Sequence, residues 1–148
     1  MNLTVYTDGA SRGNPGKSGA GVVILNENKE QTASLNKYLG ISTNNEAEYK
    51  ALIIALEFLV DIPNAGEISE ILFLLDSQLL VNQMNGVYSV KSANILPLHN
   101  KAQKIIKDIK ALSKHSGRFL RITFRHIPRE FNKAADRLAN MAIDASSI

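Results

Sequence analysis

The chain contains no cysteine and no tryptophan. Without thiols there is no disulfide, no thiolate nucleophile and no zinc site of the cysteine type, so any metal must sit on oxygen or histidine ligands. Long apolar runs are missing too: nothing approaches the roughly 20 residues of a membrane-spanning helix. Met1-Asn2-Leu3 leads straight into a strand pattern rather than into a basic-then-apolar signal. These absences read as a cytoplasmic protein. Internal repeats and low-complexity linkers are also lacking, and 148 residues, 45% hydrophobic and 21% charged, are expected to form one domain, 1–148.

Positive charge is scarce in the first two thirds. Residues 1–98 carry six Lys/Arg against ten Asp/Glu, whereas 99–148 carry eleven against four, so a net +3 hides a −4 part followed by a +7 part. A basic region beside an acidic one suits a polyanion held by one and worked on by the other, although the lysines could equally solvate a helix.

The pattern predicts a strand over Asn2–Thr7, a turn-rich loop over Gly9–Gly19, and a strand over Gly21–Leu25. A hairpin at Asn26–Lys29 leads into a third strand, Glu30–Leu39, stopping at Gly40. Thr43-Asn44-Asn45-Glu46 looks like a helix start, with the helix running to about Val60. A strand over Ile68–Leu75, helices over Ser77–Met84 and Asn94–Ser113, a strand over Arg118–Arg125 and a helix over Glu130–Ala145 complete the order βββαβααβα. That order implies an α/β fold with a mixed sheet, strands one, four and five parallel and helices on its faces.

Two strands in this plan run into an acid: Leu3-Thr4-Val5-Tyr6-Thr7 into Asp8, and Ile71-Leu72-Phe73-Leu74-Leu75 into Asp76. Sites in open α/β sheets form outside the carboxyl ends of neighbouring parallel strands. Glu48 stands in line with Leu52, Ala55 and Leu59, on the core-facing stripe of the first helix, where an ionised carboxylate is costly unless paired or bound to a cation. Asp136 borders Ala135, Ala139 and Ile143 on the last helix. Each acid has an innocent account: turn chemistry at a strand end, a stripe that ends in solvent, a carboxylate near a helix N-terminus. Four together repel one another without a compensating charge, and magnesium, a hard cation taking carboxylates, waters and phosphate oxygens, fits best.

The stretches "YTDGASRGNPGKSGAG" (6–21), "STNNEAEYKALIIAL" (42–56), "LLDSQLLVNQMNG" (74–86) and "HIPREFNKAADRLANMA" (126–142) together resemble type 1 ribonuclease H over nearly the whole chain. The resemblance implies a ribonuclease H-like fold with a five-stranded mixed sheet. It also implies metal-dependent endonucleolytic hydrolysis of the RNA strand of an RNA/DNA hybrid, leaving 5′-phosphate and 3′-hydroxyl ends by a two-metal mechanism. By position, Asp8, Glu48, Asp76 and Asp136 match the family's metal-binding acids for two Mg2+ ions, with Mn2+ as a substitute. His126, in a loop after the fifth strand, matches a histidine that handles the proton or product release. Asn14, Thr43, Asn44, Asn45 and Gln78 match positions that touch the hybrid, and Asn132 matches an asparagine beside the last acid, expected to contact substrate as well. Short amides and hydroxyls suit a reader of groove shape and 2′-hydroxyls, and Gly13 and Gly16 leave room for a close backbone approach.

Many bacterial members carry a Trp-containing basic handle between the middle helices. Here "NGVYSVKSANILPLHNKA" (85–102) has only Lys91 and Lys101, so the handle looks absent. Lys101, Lys104, Lys107, Lys110 and Lys114, with Arg118, Arg121 and Arg125, could replace part of its grip. No separate N-terminal hybrid-binding domain is expected, and a monomer is. Three alternatives stay open: a nuclease that also cuts double-stranded RNA, a DNA-acting integrase or resolvase relative, and a non-catalytic nucleic-acid-binding module of the same fold.

Overall fold

The computed structural model describes residues 1–146. Alternation starts the first strand: Leu3, Val5 and Thr7 are buried on one face while Thr4 and Tyr6 are only partly covered on the other. This strand, β1 (Asn2–Gly13), turns tightly into β2 (Gly16–Leu25), and β3 (Gln31–Ser42) follows the Asn26–Lys29 turn. β4 (Glu70–Leu75) and β5 (Arg121–His126) complete a sheet of order β3-β2-β1-β4-β5. β1, β4 and β5 are parallel, as the element order implied, and β2 pairs antiparallel with β1 on one side and with β3 on the other.

The helices are α1 (Asn44–Asp61), α2 (Gln78–Met84), α3 (Leu96–His115) and α4 (Lys133–Ala145). α1 begins where a capping box fixes it: Glu46 N–H donates to Thr43 Oγ1 at 3.2 Å, and Thr43 N–H donates back to Glu46 Oε1 at 2.9 Å. α1 packs on the sheet face formed by Leu3, Val5, Val22, Ile24, Ile71 and Phe73. Each such aliphatic side chain, fully buried, contributes roughly 1.5–3 kcal/mol. α3 lays Ala102, Ile105, Ile106 and Ile109 against α1, and α4 covers the opposite face of β1 and β2. β2 is therefore buried without alternation from Ser18 to Ile24, having a helix on each side. No helix among the described residues is long and apolar enough to cross a membrane.

The expected loop over Gly9–Gly19 is largely strand. β1 and β2 stay paired from Thr4↔Leu25 to Gly13↔Gly16, leaving only Asn14-Pro15 as the turn. The small residues that looked like turn signals serve close packing. A Cβ on Gly9 would lie 2.2 Å from the Ala47 carbonyl carbon in α1, and one on Gly19 would lie 2.2 Å from the Ala139 oxygen in α4; Gly21, already inside the expected strand, is as tightly covered, at 2.0 Å from the Ala135 oxygen. Gly13, at φ +115°, and Gly16, whose Cβ would lie 2.2 Å from the Arg12 oxygen, are required by the turn itself rather than by an approaching ligand. β5 and α4 each begin about three residues later than their patterns suggested. The Arg118 N–H still caps α3 on Ser113 O, and Arg129–Phe131 forms a separate 3-10 turn before α4.

Candidate active site

The parallel pairing of β1 with β4 ends at Thr7 beside Leu75, so the next residues, Asp8 and Asp76, stand side by side where β4 stops and β1 runs on to Gly13 against β2 alone. Glu48 comes from the second turn of α1, brought close because Gly9 has no side chain to hold that helix off. The Gly9 N–H donates to Glu48 Oε1 at 3.3 Å. One carboxylate oxygen from each of Asp8, Glu48 and Asp76 lies within 4.8 Å of the others.

Asp136 approaches from the other side of the sheet. Asp8 pairs with Gly21, across whose bare Cα α4 passes, and this brings Asp136 beside Asp8 on the wall of a cleft of about 450 Å3. Asn132, just before α4, is 1% exposed and donates from Nδ2 to Thr7 O at 2.8 Å and to Asp76 Oδ2 at 3.0 Å. The expectation that Asn132 meets substrate is therefore revised. Its amide NH2 is spent inside the protein, tying β1 to the end of β4 and orienting Asp76, while its Oδ1 is buried with no partner among the described residues.

Burial, reinforced by the charge of Asp76, raises the Asp8 carboxyl from its ordinary 3.8 to about 7. Burial also pushes Glu48 well above the usual carboxylate range, with Asp8 and Asp76 adding to the effect. Glu48 Oε2 is buried with no hydrogen-bond donor facing it. An unpartnered buried carboxylate oxygen facing two further acids is what a hard cation relieves, and an all-oxygen donor set is what magnesium or manganese accepts. The residues present thus fit a divalent cation.

A second cleft of about 370 Å3 continues from the first, and Asn44, Asn45, Glu48 and Ser77 line both. Asn14 and Thr43 line the second, but both already have structural work. Thr43 caps α1, and Asn14 Oδ1 accepts the Asn44 N–H at 3.0 Å. Gln78, exposed at the start of α2, lines neither. His126 is the last residue of β5, paired with Leu75, rather than a loop residue; it is exposed and also lines neither cleft.

Arg129 was missed: it lines the acid cleft as the single cation among Asp8, Glu48, Asp76 and Asp136. Its signal was a base seven residues before an acid in a segment already singled out. Gln83 and Tyr49 were missed as well. Tyr49, 1% exposed, donates its hydroxyl to Gln83 Oε1 at 2.7 Å in the wall of the second cleft, and burial raises it to about 12. No feature of the sequence set it apart from the buried residues Ala51, Leu52 and Ile53 that follow it in α1.

Residues 6–142 match the family described as reverse transcriptase-like. The chain is 37% identical to a bifunctional protein of Mycobacterium tuberculosis over 99% of its own length, and it spans 37% of that relative's length. It is 35% identical to the ribonuclease H of Chlorobium phaeobacteroides, covering 95% of the chain and 94% of the relative. Among solved structures it is similar to LC11-RNase H1, isolated from compost, in complex with an RNA/DNA hybrid: 40% identity, TM-score 0.82, and 99% of each chain covered. With a near-complete match to a ribonuclease H and the fold of LC11-RNase H1, the chain belongs to the type 1 ribonuclease H family.

Proposed function

We propose that the chain is an endonuclease hydrolysing the RNA strand of RNA/DNA hybrids with magnesium, leaving 5′-phosphate and 3′-hydroxyl ends. The observation that carries the reading is the convergence of Asp8, Glu48 and Asp76 within 4.8 Å where the parallel pairing of β1 and β4 ends. The hybrid seen with LC11-RNase H1 supports the choice of substrate. One chain suffices for the site, since all four acids come from it, and a monomer is the working form.

Asp8, Glu48, Asp76 and Asp136 would hold the cations. Divalent cations there supply the Lewis acidity that acidifies a water and stabilises charge on the departing 3′ oxygen. The protein's own groups prepare the place. Asn132 locks the Asp76 carboxylate, the Gly9 amide holds Glu48, and Val5, Thr7, Phe73 and Leu75 beneath them are fully buried, so the acids cannot drift apart as charge shifts. Arg129 faces the scissile phosphate across the cleft, and a guanidinium suits a phosphate oxygen pair. His126, exposed at the mouth of β5, is free to take or return a proton. Asn44 and Asn45, exposed at the N-terminus of α1 between the two clefts, read the minor groove. The α3 lysines lend a diffuse positive field, weakened where Lys104 pairs with Asp108 and Lys101 with Glu57.

The test is cleavage of end-labelled RNA/DNA, RNA/RNA and DNA/DNA duplexes with Mg2+, beside Asp8→Asn. Hybrid cleavage that the substitution abolishes is expected. Binding of the hybrid without any metal-dependent cleavage would overturn the enzyme reading and leave a binding module. The RNA/RNA lane reads the breadth of substrate.

A further inference from the structure

We propose that Arg12 and Asn140 form a positioning relay that fixes the Asp136 carboxylate for cation binding, although neither belongs to the acid cluster. The inference rests on the reading of the four acids as a cation site. Asp136 is the acid with the least support from the sheet. Asp8 is held in β1, Asp76 is tied by Asn132, and Glu48 is held by the Gly9 amide, whereas Asp136 hangs from the first turn of a helix on the far face.

What reaches Asp136 is Asn140, one turn later. Its Nδ2 donates to Asp136 Oδ1 at 3.2 Å and to the Asp136 backbone oxygen at 3.0 Å. A side-chain amide can sit either way round, and the reversed amide would put its oxygen against the carboxylate. Arg12 removes that freedom. A guanidinium only donates, so Asn140 must present Oδ1 to Arg12 Nη2, which it does at 3.2 Å, and therefore must present its NH2 to Asp136. Arg12 Nη2 also reaches the Asn140 backbone oxygen at 3.4 Å and pairs with Asp144 Oδ1 at 2.7 Å.

The chain Asp144–Arg12–Asn140–Asp136 thus alternates acceptor and donor without a conflict. Arg12 can take part only because β1 continues beyond Asp8 to Gly13, with Arg12 itself opposite Lys17, and so carries a side chain across α4. Arg12 and Asp144 are 47% and 67% exposed, so their ion pair adds little to folding. The consequence of the relay falls on the cation instead, because groups that orient a ligand carboxylate tune the affinity of the metal it binds.

The experiment uses the full chain. Mn2+ binding is measured by titration calorimetry without substrate, and hybrid cleavage is followed against Mg2+ concentration. Asn140→Ala is expected to weaken Mn2+ binding about 10-fold, the low end for loss of a supporting group. Arg12→Ala should weaken it roughly 2- to 10-fold, the equivalent of one hydrogen bond, and Arg12→Lys, which also only donates, should recover part of the loss. The Mg2+ half-saturation of cleavage should rise in parallel, with kcat at saturating Mg2+ and KM for the hybrid near wild type. A role limited to folding would lower the melting temperature and leave the cation dependence alone. Wild-type Mn2+ affinity in Arg12→Ala overturns the relay, whatever Asn140→Ala does. A wild-type chain that binds Mn2+ but cuts no hybrid sinks the nuclease reading and leaves the relay to be judged by calorimetry.

Discussion

Replacing Asp8 by asparagine should make the metal-free protein more stable while abolishing cleavage. Burial and the neighbouring Asp76 raise the Asp8 carboxyl from 3.8 to about 7. A carboxyl whose pKa is raised on folding favours the native state below its unfolded value, and that advantage is lost as pH rises through its folded value. Between pH 4 and 7 the wild type should therefore lose stability relative to Asp8→Asn, and above about 7 the gap should stay constant. At about 1.36 kcal/mol per unit, the shift corresponds to an upper bound of about 4 kcal/mol. Asparagine must itself be desolvated at a site 5% exposed, so about 2–3 kcal/mol is the expected gain at pH 8. At roughly 2–4 °C per kcal/mol for a chain of this size, the melting temperature should rise by about 4–12 °C. The assay is urea and thermal unfolding of both proteins in EDTA at pH 4.5 and pH 8, repeated with Mg2+. Cation binding to the wild-type native state should narrow the gap at pH 8. A gap of equal size at the two pH values, or a less stable Asp8→Asn at pH 8, would refute the electrostatic account of the cluster.

Asn132→Ala leaves the Asp76 carboxylate without its amide donor and opens a buried hole. It should cost about 1–3 kcal/mol by urea unfolding, and roughly 10- to 100-fold in kcat measured at saturating Mg2+. Gly21→Ala places a methyl 2.0 Å from the Ala135 oxygen, so α4 must shift and carry Asp136 with it. Overpacking of this kind costs about 1–3 kcal/mol, and cleavage should fall further than stability alone explains. Gly40→Ala is the contrast: open space surrounds the position, but φ is +75°, so a loss of about 1–2 kcal/mol with unchanged cleavage is expected from thermal melts and rate assays.

Elements specified by local chemistry were legible. Thr43 and Glu46 announced the start of α1 because a capping box is a short-range device, and the end of β4 at Asp76 was marked by an apolar run that stops at a charge, whereas β1 passes its own acid, Asp8, and continues to Gly13. The juxtaposition of the two acids followed from one rule about parallel strands. Gly9 and Gly19 misled because a glycine required by a helix crossing the sheet has the same sequence signature as one required by a turn; only the tertiary contact with Ala47 or Ala139 separates the two. Asn132 misled for a related reason. An amide next to an acid in a polar segment looks like a ligand contact until the fold buries it between Thr7 and Asp76. The path from Asp136 through Asn140 to Arg12 had no signal at all, since it joins residues 128 positions apart across the register of a hairpin extension that the glycines concealed.

The same free energy that strains the metal-free site should set how tightly it takes a cation. Glu48 stays protonated well above the usual carboxylate range and Asp8 is half protonated near pH 7, so binding at neutral pH must displace protons from the cluster. Proton and cation then compete for the same oxygens. Below pH 7 the apparent affinity for Mn2+ should fall by up to about tenfold per pH unit for each proton displaced. Calorimetric titration at pH 7 in Tris and in PIPES, buffers of very different ionisation enthalpy, should give binding heats whose difference reports the protons released. Asp8→Asn removes one of the two groups, so that difference should shrink along with the pH-dependent stability gap. Equal binding heats in the two buffers would mean that the carboxylates are already ionised before the cation arrives. Burial at the strand ends would then cost the fold far less than the geometry of Asp8, Glu48 and Asp76 implies.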